Sequence, residues 1–278
     1  MTGRSVTSRG ESNATTVPTS IWKEVPSEEN PYLAKQSFCH GYDLMQLLQK
    51  CTYIEVLFLL FRGEIPTKEE AELLERLMIA FINPGPRSPA AYAAMNAGVG
   101  RTKKELILPI GLSVLSGEHL GGREVQESMK YLLQKRDEDP TVTAEKLIES
   151  YDTSKLDSKE SGDIHIVPGF GTRFGTKDLL THEIAEILLG LSGSGRTMEW
   201  ANGFVAAMKG RQMGWLPTGL VAAVLSDLGF HYHAGAGIYQ LISGPGILAH
   251  GLEMAKRTRL EFPFPKGDDY VITQGEEK

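Results

Sequence analysis

The sequence predicts an all-α protein, and two observations carry that prediction. Helix punctuation is dense: Thr52 and Thr67 each stand three residues before a glutamate, Glu55 and Glu70. In that arrangement a hydroxyl and a carboxylate reciprocally satisfy the orphan amides of a first helical turn. Period-two alternation, the mark of a half-buried strand, is scarce, confined to Ile164 to Val167 and Tyr270 to Thr273.

Taken in order, residues 1–20 are rich in Ser, Thr, Gly and Asn and hold too few apolar side chains to offset the entropy of ordering, so a disordered tail is expected. An apolar, helix-like run follows Leu44. The helix opened by Thr52 is expected to stop at Gly63. After Thr67, Ala71, Leu74, Leu77, Met78 and Phe81 recur at three- and four-residue intervals, which buries one face and leaves the Glu/Arg face wet. Leu106 to Leu115 is apolar almost all round, the pattern of a central helix packed on several sides and ending at Gly117. Further helices are predicted from Arg123 to Lys135, where Val125, Met129 and Leu132 align, and from Thr176 to Leu191, where Ile184, Ile187, Leu188 and Leu191 do. Asp137-Glu138-Asp139-Pro140 marks a break, and Asp152 to Gly162 is polar and loop-like. The expected organisation is a tail over 1–20, a large domain over 21–162, a smaller helical domain over 163–208, and a return to the large domain over 209–278.

A chain of 278 residues with a net charge of −6 has enough length for a sizeable core. Its mild acidity and lack of a basic stripe argue against nucleic acid as a partner. The N-terminus carries no signal-peptide core, and Leu106 to Leu115 is too short and too interrupted to span a bilayer; a cytoplasmic protein without membrane contact is expected. Cys39 and Cys51 share no metal-ligand spacing with histidine and read as reduced thiols, Cys51 as core filler. The tryptophans, Trp22, Trp200 and Trp215, fit core or interface positions. His231-Tyr232-His233 lacks the further ligands a metal needs and reads as a turn-exposed pair, so no metal site is predicted.

One segment invites a functional reading from its residues alone. Val167-Pro168-Gly169-Phe170-Gly171-Thr172-Arg173 joins a fixed-φ proline to two glycines, so its backbone can turn sharply and present amides to a ligand. Alternatively it is only a tight loop between helices.

Three landmarks in order resemble the citrate synthase family. They are Gly41-Tyr42-Asp43-Leu44 with the later Phe61-Arg62-Gly63-Glu64-Ile65-Pro66-Thr67-Lys68-Glu69-Glu70; Val167-Pro168-Gly169-Phe170-Gly171; and Gly246-Ile247-Leu248-Ala249-His250-Gly251-Leu252-Glu253. The resemblance runs from about Gly41 to Glu261, with a tail at Asp269-Tyr270-Val271, and is similar in length and spacing to the short citryl-CoA lyases and the C-terminal module of ATP-citrate lyase. It implies a large and a small helical domain with a cleft between them, a homodimer, and a coenzyme A thioester as substrate or ligand with no tightly bound cofactor. It further implies that Val167, Pro168, Gly169, Phe170 and Gly171 cradle the adenine, with Arg173 and Lys177 for the phosphates.

The family's catalytic places are altered. Thr172 stands where the family has a histidine for the hydroxy-acid oxygen, and Leu120, within Ser116-Gly117-Glu118-His119-Leu120-Gly121-Gly122, where it has the enol-stabilising histidine. Thr218 replaces the aspartate that acts as general base, and Ser243 a carboxylate-binding arginine. Asn83-Pro84-Gly85 resembles a family Asp-His-Gly, leaving Pro84 in the histidine's place and Tyr92 near a later one. A neutral hydroxyl is no base at pH 7, and losing positioned acid–base help costs about 10² to 10⁴ in rate. His119 either substitutes for the displaced imidazole or caps a helix end. The candidate catalytic residues are therefore Thr218, Thr172, His119 and Glu118, with Arg123 also lining the site. Two functions remain open: a carbon–carbon lyase or synthase acting on a 3-hydroxyacyl-CoA other than citryl-CoA, or a non-catalytic paralogue that binds coenzyme A as a sensor or structural partner.

Overall fold

The computed structural model describes residues 16–150, 162–263 and 265–269. The tail up to residue 15, the polar stretch up to residue 161, the alternation at Tyr270 to Thr273 and the Tyr-Val tail lie outside them. Eleven α-helices dominate the described residues, with two three-stranded antiparallel sheets. No helix among them is long and apolar enough to cross a membrane. The chain divides into two compact units, Met1–Pro66 and Thr67–Lys278.

The first unit is a β-meander followed by two helices: β1 (Trp22–Pro26), β2 (Ala34–Cys39), β3 (Tyr42–Asp43), α1 (Leu44–Lys50) and α2 (Tyr53–Arg62). These strands escaped the sequence prediction because the meander has no continuous buried face; β1 and most of β2 are exposed, so no alternation was selected. The β2–β3 turn is His40-Gly41, with φ of 46° and 86°, the pair of left-handed conformations that matches strand twist. At α2 the Thr52 capping box is formed, Glu55 Oε2 accepting from Thr52 N–H at 2.6 Å, and Gly63 ends the helix at φ 80°. Cys39, Leu47 and Leu59 make a small core against which Cys51 packs, and both thiols are free. Trp22 is exposed, its indole donating to Glu24, whereas Trp200 and Trp215 are buried.

In the second unit the remaining helices are α3 (Lys68–Phe81), α4 (Pro89–Val99), α5 (Lys104–Leu115), α6 (Gly122–Lys135), α7 (Pro140–Ser150), α8 (Leu179–Leu189), α9 (Arg196–Met208), α10 (Pro217–Asp227) and α11 (Tyr232–Met254). The second sheet is β4 (Ile164–Val167), β5 (Phe170–Thr172) and β6 (Gly214–Trp215). Thr67 caps α3 as expected, and Val125, Met129 and Leu132 of α6 are fully buried. On α8 the buried face runs through Thr181, Ala185 and Leu188, leaving Ile187 exposed.

The central helix is α10, not the Leu106–Leu115 helix that the sequence suggested. Every residue from Thr218 to Ser226 is buried, and α3, α6, α8, α9 and α11 surround it. Gly219, Ala222 and Ala223 keep it thin, so neighbours approach closely. By contrast α5 buries Ile107, Gly111 and Leu115 but leaves Leu106 and Val114 about half exposed. The C-terminal Asp227 of α10 ties down the start of α9: its carboxylate accepts from the N–H groups of Gly195, Thr197 and Met198 at 2.9, 2.7 and 2.9 Å. That is a capping arrangement supplied from a different helix.

Candidate functional site

The Pro168-Gly169 turn joins β4 to β5 as a two-residue hairpin, with Val167 opposite Phe170 and Gly169 at φ 85°. It is thus a hairpin turn rather than a loop between helices. Pro at the first central position and a left-handed Gly at the second is the type II pattern. The tip is wedged between α6 and α10. A Cβ on Gly169 would come within 2.4 Å of Gly219 Cα and 2.5 Å of Ser128 Oγ. Leu216 N–H donates to Gly169 O at 3.0 Å. Phe170 anchors the tip from the other side, its ring 5.2 Å from both Phe204 and Trp215.

What the hairpin brings with it is a cluster of ionisable groups. Glu124 is the third residue of α6, where its carboxylate reaches back to Leu120 N–H at 2.9 Å, the favoured place for an acid on the helix dipole. Its other oxygen accepts from Gly169 N–H at 3.1 Å and pairs with His165 Nδ1. The Glu124 side chain is only 4% exposed. Asp163, also 4% exposed, accepts from Phe174 N–H through Oδ1 at 3.1 Å. Its Oδ2 lies 3.2 Å from His119 Nε2 and 3.0 Å from Arg173 Nε. The rings of His119 and His165 are 5.1 Å apart. His165 Nε2 is buried and has no hydrogen-bond partner. Tyr239 of α11 lies within the field of the same groups. Its hydroxyl is pushed up to about 12, first by burial and then by the Glu124 charge, with Ser243 and Arg173 acting in the opposite sense.

The candidate catalytic residues, taken with Arg173, fall into three groups. His119 and Arg173 join the cluster, and the partner of His119 is Asp163, 44 positions away, rather than a helix end. Thr172 and Thr218 are buried, on β5 and in the first turn of α10, and neither hydroxyl has a hydrogen-bond partner. Glu118 lies outside the cluster on the exposed loop before α6, paired with Arg123 at 3.1 Å in solvent, where such a pair contributes little. Of the Gly-rich segment, Gly169, Phe170 and Gly171 are buried, Val167 and Pro168 half-buried. The methylene stem of Lys177 lies against Gly214. Ser243 is buried within α11 and donates to Phe81 O at 3.2 Å. His231 caps α11, its ring 5.0 Å from that of His233, and both are exposed.

Glu124, Asp163 and His165 were missed. A usable signal existed for two of them: Asp163 and His165 flank Ile164, and the alternation places them on one face while Ile164 is buried on the other. Glu124 offered only its position three residues after the Gly121 cap.

Together these side chains set two imidazoles, two carboxylates and a guanidinium around one hairpin. They offer proton acceptors, a fixed cation and a cation-binding donor set. His119, Asp163 and His165 each bring one ligand atom, all within 4.8 Å of one another.

No protein-family model matches this sequence, and no curated protein matches it. Solved structures do match. Citryl-CoA lyase from Hydrogenobacter thermophilus superposes with a TM-score of 0.74 at 20% identity, over 94% of this chain and 96% of that one. Methanosaeta concilii ATP citrate lyase, a mutant in complex with (3S)-citryl-CoA, gives 0.71 at 15% identity over 96% of this chain and 43% of that one. Citrate synthase from Thermoplasma acidophilum, in ternary complex with carboxymethyl coenzyme A and oxaloacetate, gives 0.59 at 19% identity over 82% and 58%. At these identities the likeness establishes architecture. The chain has the mostly helical citrate synthase-like fold that its sequence resemblance implied.

Proposed function

We propose that this protein binds a coenzyme A thioester beside the β4–β5 hairpin and makes or breaks a carbon–carbon bond in a 3-hydroxyacyl-CoA other than citryl-CoA. The observation that carries this reading is the ionisable cluster of His119, Glu124, Asp163, His165 and Arg173, assembled on a citrate synthase-like fold at the Gly-rich segment. Retro-aldol cleavage needs a group to take the 3-hydroxyl proton and a positive centre to hold the enolate that departs. The cluster contains both kinds of group. A substrate less charged than citrate follows from Ser243, which is tied to Phe81 O and cannot make the bidentate clamp of an arginine. In this reading residues 163–208 form the smaller of two domains, the thioester lies in the cleft between it and the remainder, and Lys177 contributes to phosphate binding.

The proposal includes a homodimer. Its support is α5, whose Leu106 and Val114 stand half exposed, together with Leu241 on α11, which lies against α5 through Gln240 Nε2 donating to Leu112 O at 2.9 Å.

A second reading has its own observation. Thr172 and Thr218 are buried hydroxyls without partners, which is what a binding protein that has lost the family chemistry would retain. Calorimetric titration with coenzyme A and acetyl-CoA, followed by cleavage assays across 3-hydroxyacyl-CoAs, separates the two. Thioester binding with turnover of a non-citrate substrate supports the enzyme. Binding without turnover supports the sensor or structural role, and no thioester binding removes both.

A further inference from the structure

We propose that His119, Asp163 and His165 bind a divalent transition-metal ion, zinc or one of its first-row neighbours, through two imidazole nitrogens and a carboxylate oxygen. Their ligand atoms already lie within 4.8 Å of one another. Two nitrogens and an oxygen are the donor set such ions prefer, and three protein ligands leave coordination positions open for water or a substrate oxygen. Donors about 2.0–2.1 Å from zinc stand about 3.3 Å apart in a tetrahedron. His119 Nε2 and Asp163 Oδ2 already stand at that separation, 3.2 Å apart, so the adjustment needed to close on an ion lies in the separations to His165.

The groups behind the ligands point the same way. His165 Nδ1 pairs with Glu124, which leaves Nε2 as the nitrogen available to an ion, and that atom is buried without a partner. A carboxylate that orients a histidine from behind is the usual support of a metal-ligating imidazole. Glu124 is itself held by the N–H groups of Leu120 and Gly169, and Asp163 by Phe174 N–H and Arg173. Asp163 and Glu124 bring two formal negative charges against the single positive charge of Arg173, and the neutral imidazoles that ligate an ion add none, so a dication offsets the remainder. A buried nitrogen without a partner is destabilising, and coordination would supply the partner that His165 Nε2 lacks.

The site itself does not depend on the acyl-CoA proposal. The role of the ion does: on that reading it polarises an oxygen of the thioester or of the 3-hydroxyl, taking over the work for which the citrate synthase family keeps the histidines that Leu120 and Thr172 displace.

The test uses the full chain, stripped with a chelator and then titrated with Zn²⁺ by calorimetry and with Co²⁺ by visible absorption. One ion per chain is expected, with the intense visible bands of four- or five-coordinate cobalt. His119→Ala, at an exposed position that the fold tolerates, weakens binding by more than about 100-fold, and Asp163→Asn does the same. Glu124→Gln, acting through His165, weakens it by about 10- to 100-fold. The double change His231→Ala/His233→Ala leaves it unchanged. The proposal is overturned by absence of saturable uptake, by uptake that survives His119→Ala, or by uptake that depends on His231 and His233. Metal uptake without coenzyme A binding removes the thioester reading and leaves the site standing; coenzyme A binding without metal uptake removes the site alone.

Discussion

Replacing Gly219 with alanine sets two effects of opposite sign against each other. As the third residue of α10, Gly219 lowers helix stability, and alanine there gains about 1 kcal/mol from backbone propensity. Tertiary geometry opposes this, because the new Cβ would sit 2.0 Å from Gly169 O and 2.9 Å from Gly169 Cα. Carbon–oxygen contacts settle at about 3.3 Å or more, so the hairpin tip must retreat by about 1 Å. That retreat breaks Leu216 N–H to Gly169 O at 3.0 Å and Gly169 N–H to Glu124 at 3.1 Å. A neutral hydrogen bond contributes about 1 kcal/mol and one to a charged group about 1.5–3 kcal/mol. After subtracting the propensity gain, Gly219→Ala destabilises by about 1.5–3 kcal/mol, which for a chain of this size lowers Tm by about 3–12 °C. Urea and thermal unfolding followed by circular dichroism read it directly. A variant as stable as the parent, or more stable, refutes the close packing of hairpin on helix and with it the placement of Glu124 beside the turn.

Other outcomes follow from the same structure. Asp227→Ala leaves three amides at the start of α9 without their acceptor and should lower the urea midpoint by the equivalent of about 2–3 kcal/mol at an unchanged m-value, whereas Asp227→Asn should recover part of the loss. Tyr239 in the folded protein titrates at about 12 against about 10 unfolded, so the native state holds this proton longer. Its contribution is intact below pH 10 and is lost as pH rises towards 12, by about 2–3 kcal/mol in total; Tyr239→Phe should flatten that part of the stability profile, and an identical profile would remove the buried placement. Leu106→Glu combined with Val114→Glu should convert a dimer to monomer in sedimentation without loss of helicity, while a parent that sediments as a monomer ends the dimer proposal.

Some of the fold was legible because it is written in local chemistry. The Thr52 and Thr67 boxes and the Gly63 stop are contests between neighbouring groups for the same amides and carbonyls, and each formed as the spacing required. The face of α6 was equally plain, since Val125, Met129 and Leu132 offer a single apolar stripe. On α8 the rule misled: with leucine or isoleucine on most sides, the periodicity did not say that Ala185 and Thr181, rather than Ile187, would meet the core. The first sheet left no trace because exposed strands need no alternation. As for the site, His119 and Arg173 were found through likeness to a family, while Glu124, Asp163 and His165 had no partner visible in sequence.

Residue order alone determined that this chain is mostly helical, where its better-capped helices start, and which known architecture it shares, because those properties rest on interactions spanning about four residues or on a pattern kept along the whole chain. Tertiary structure decided which apolar helix lies at the centre. α5 and α10 are comparably apolar, and hydrophobicity states that a face should be covered without stating by what. It also decided where the charges meet: residues 119, 124, 163, 165 and 173 converge only because a glycine-to-glycine contact lets the hairpin sink between α6 and α10, a matter of steric fit between segments distant in sequence.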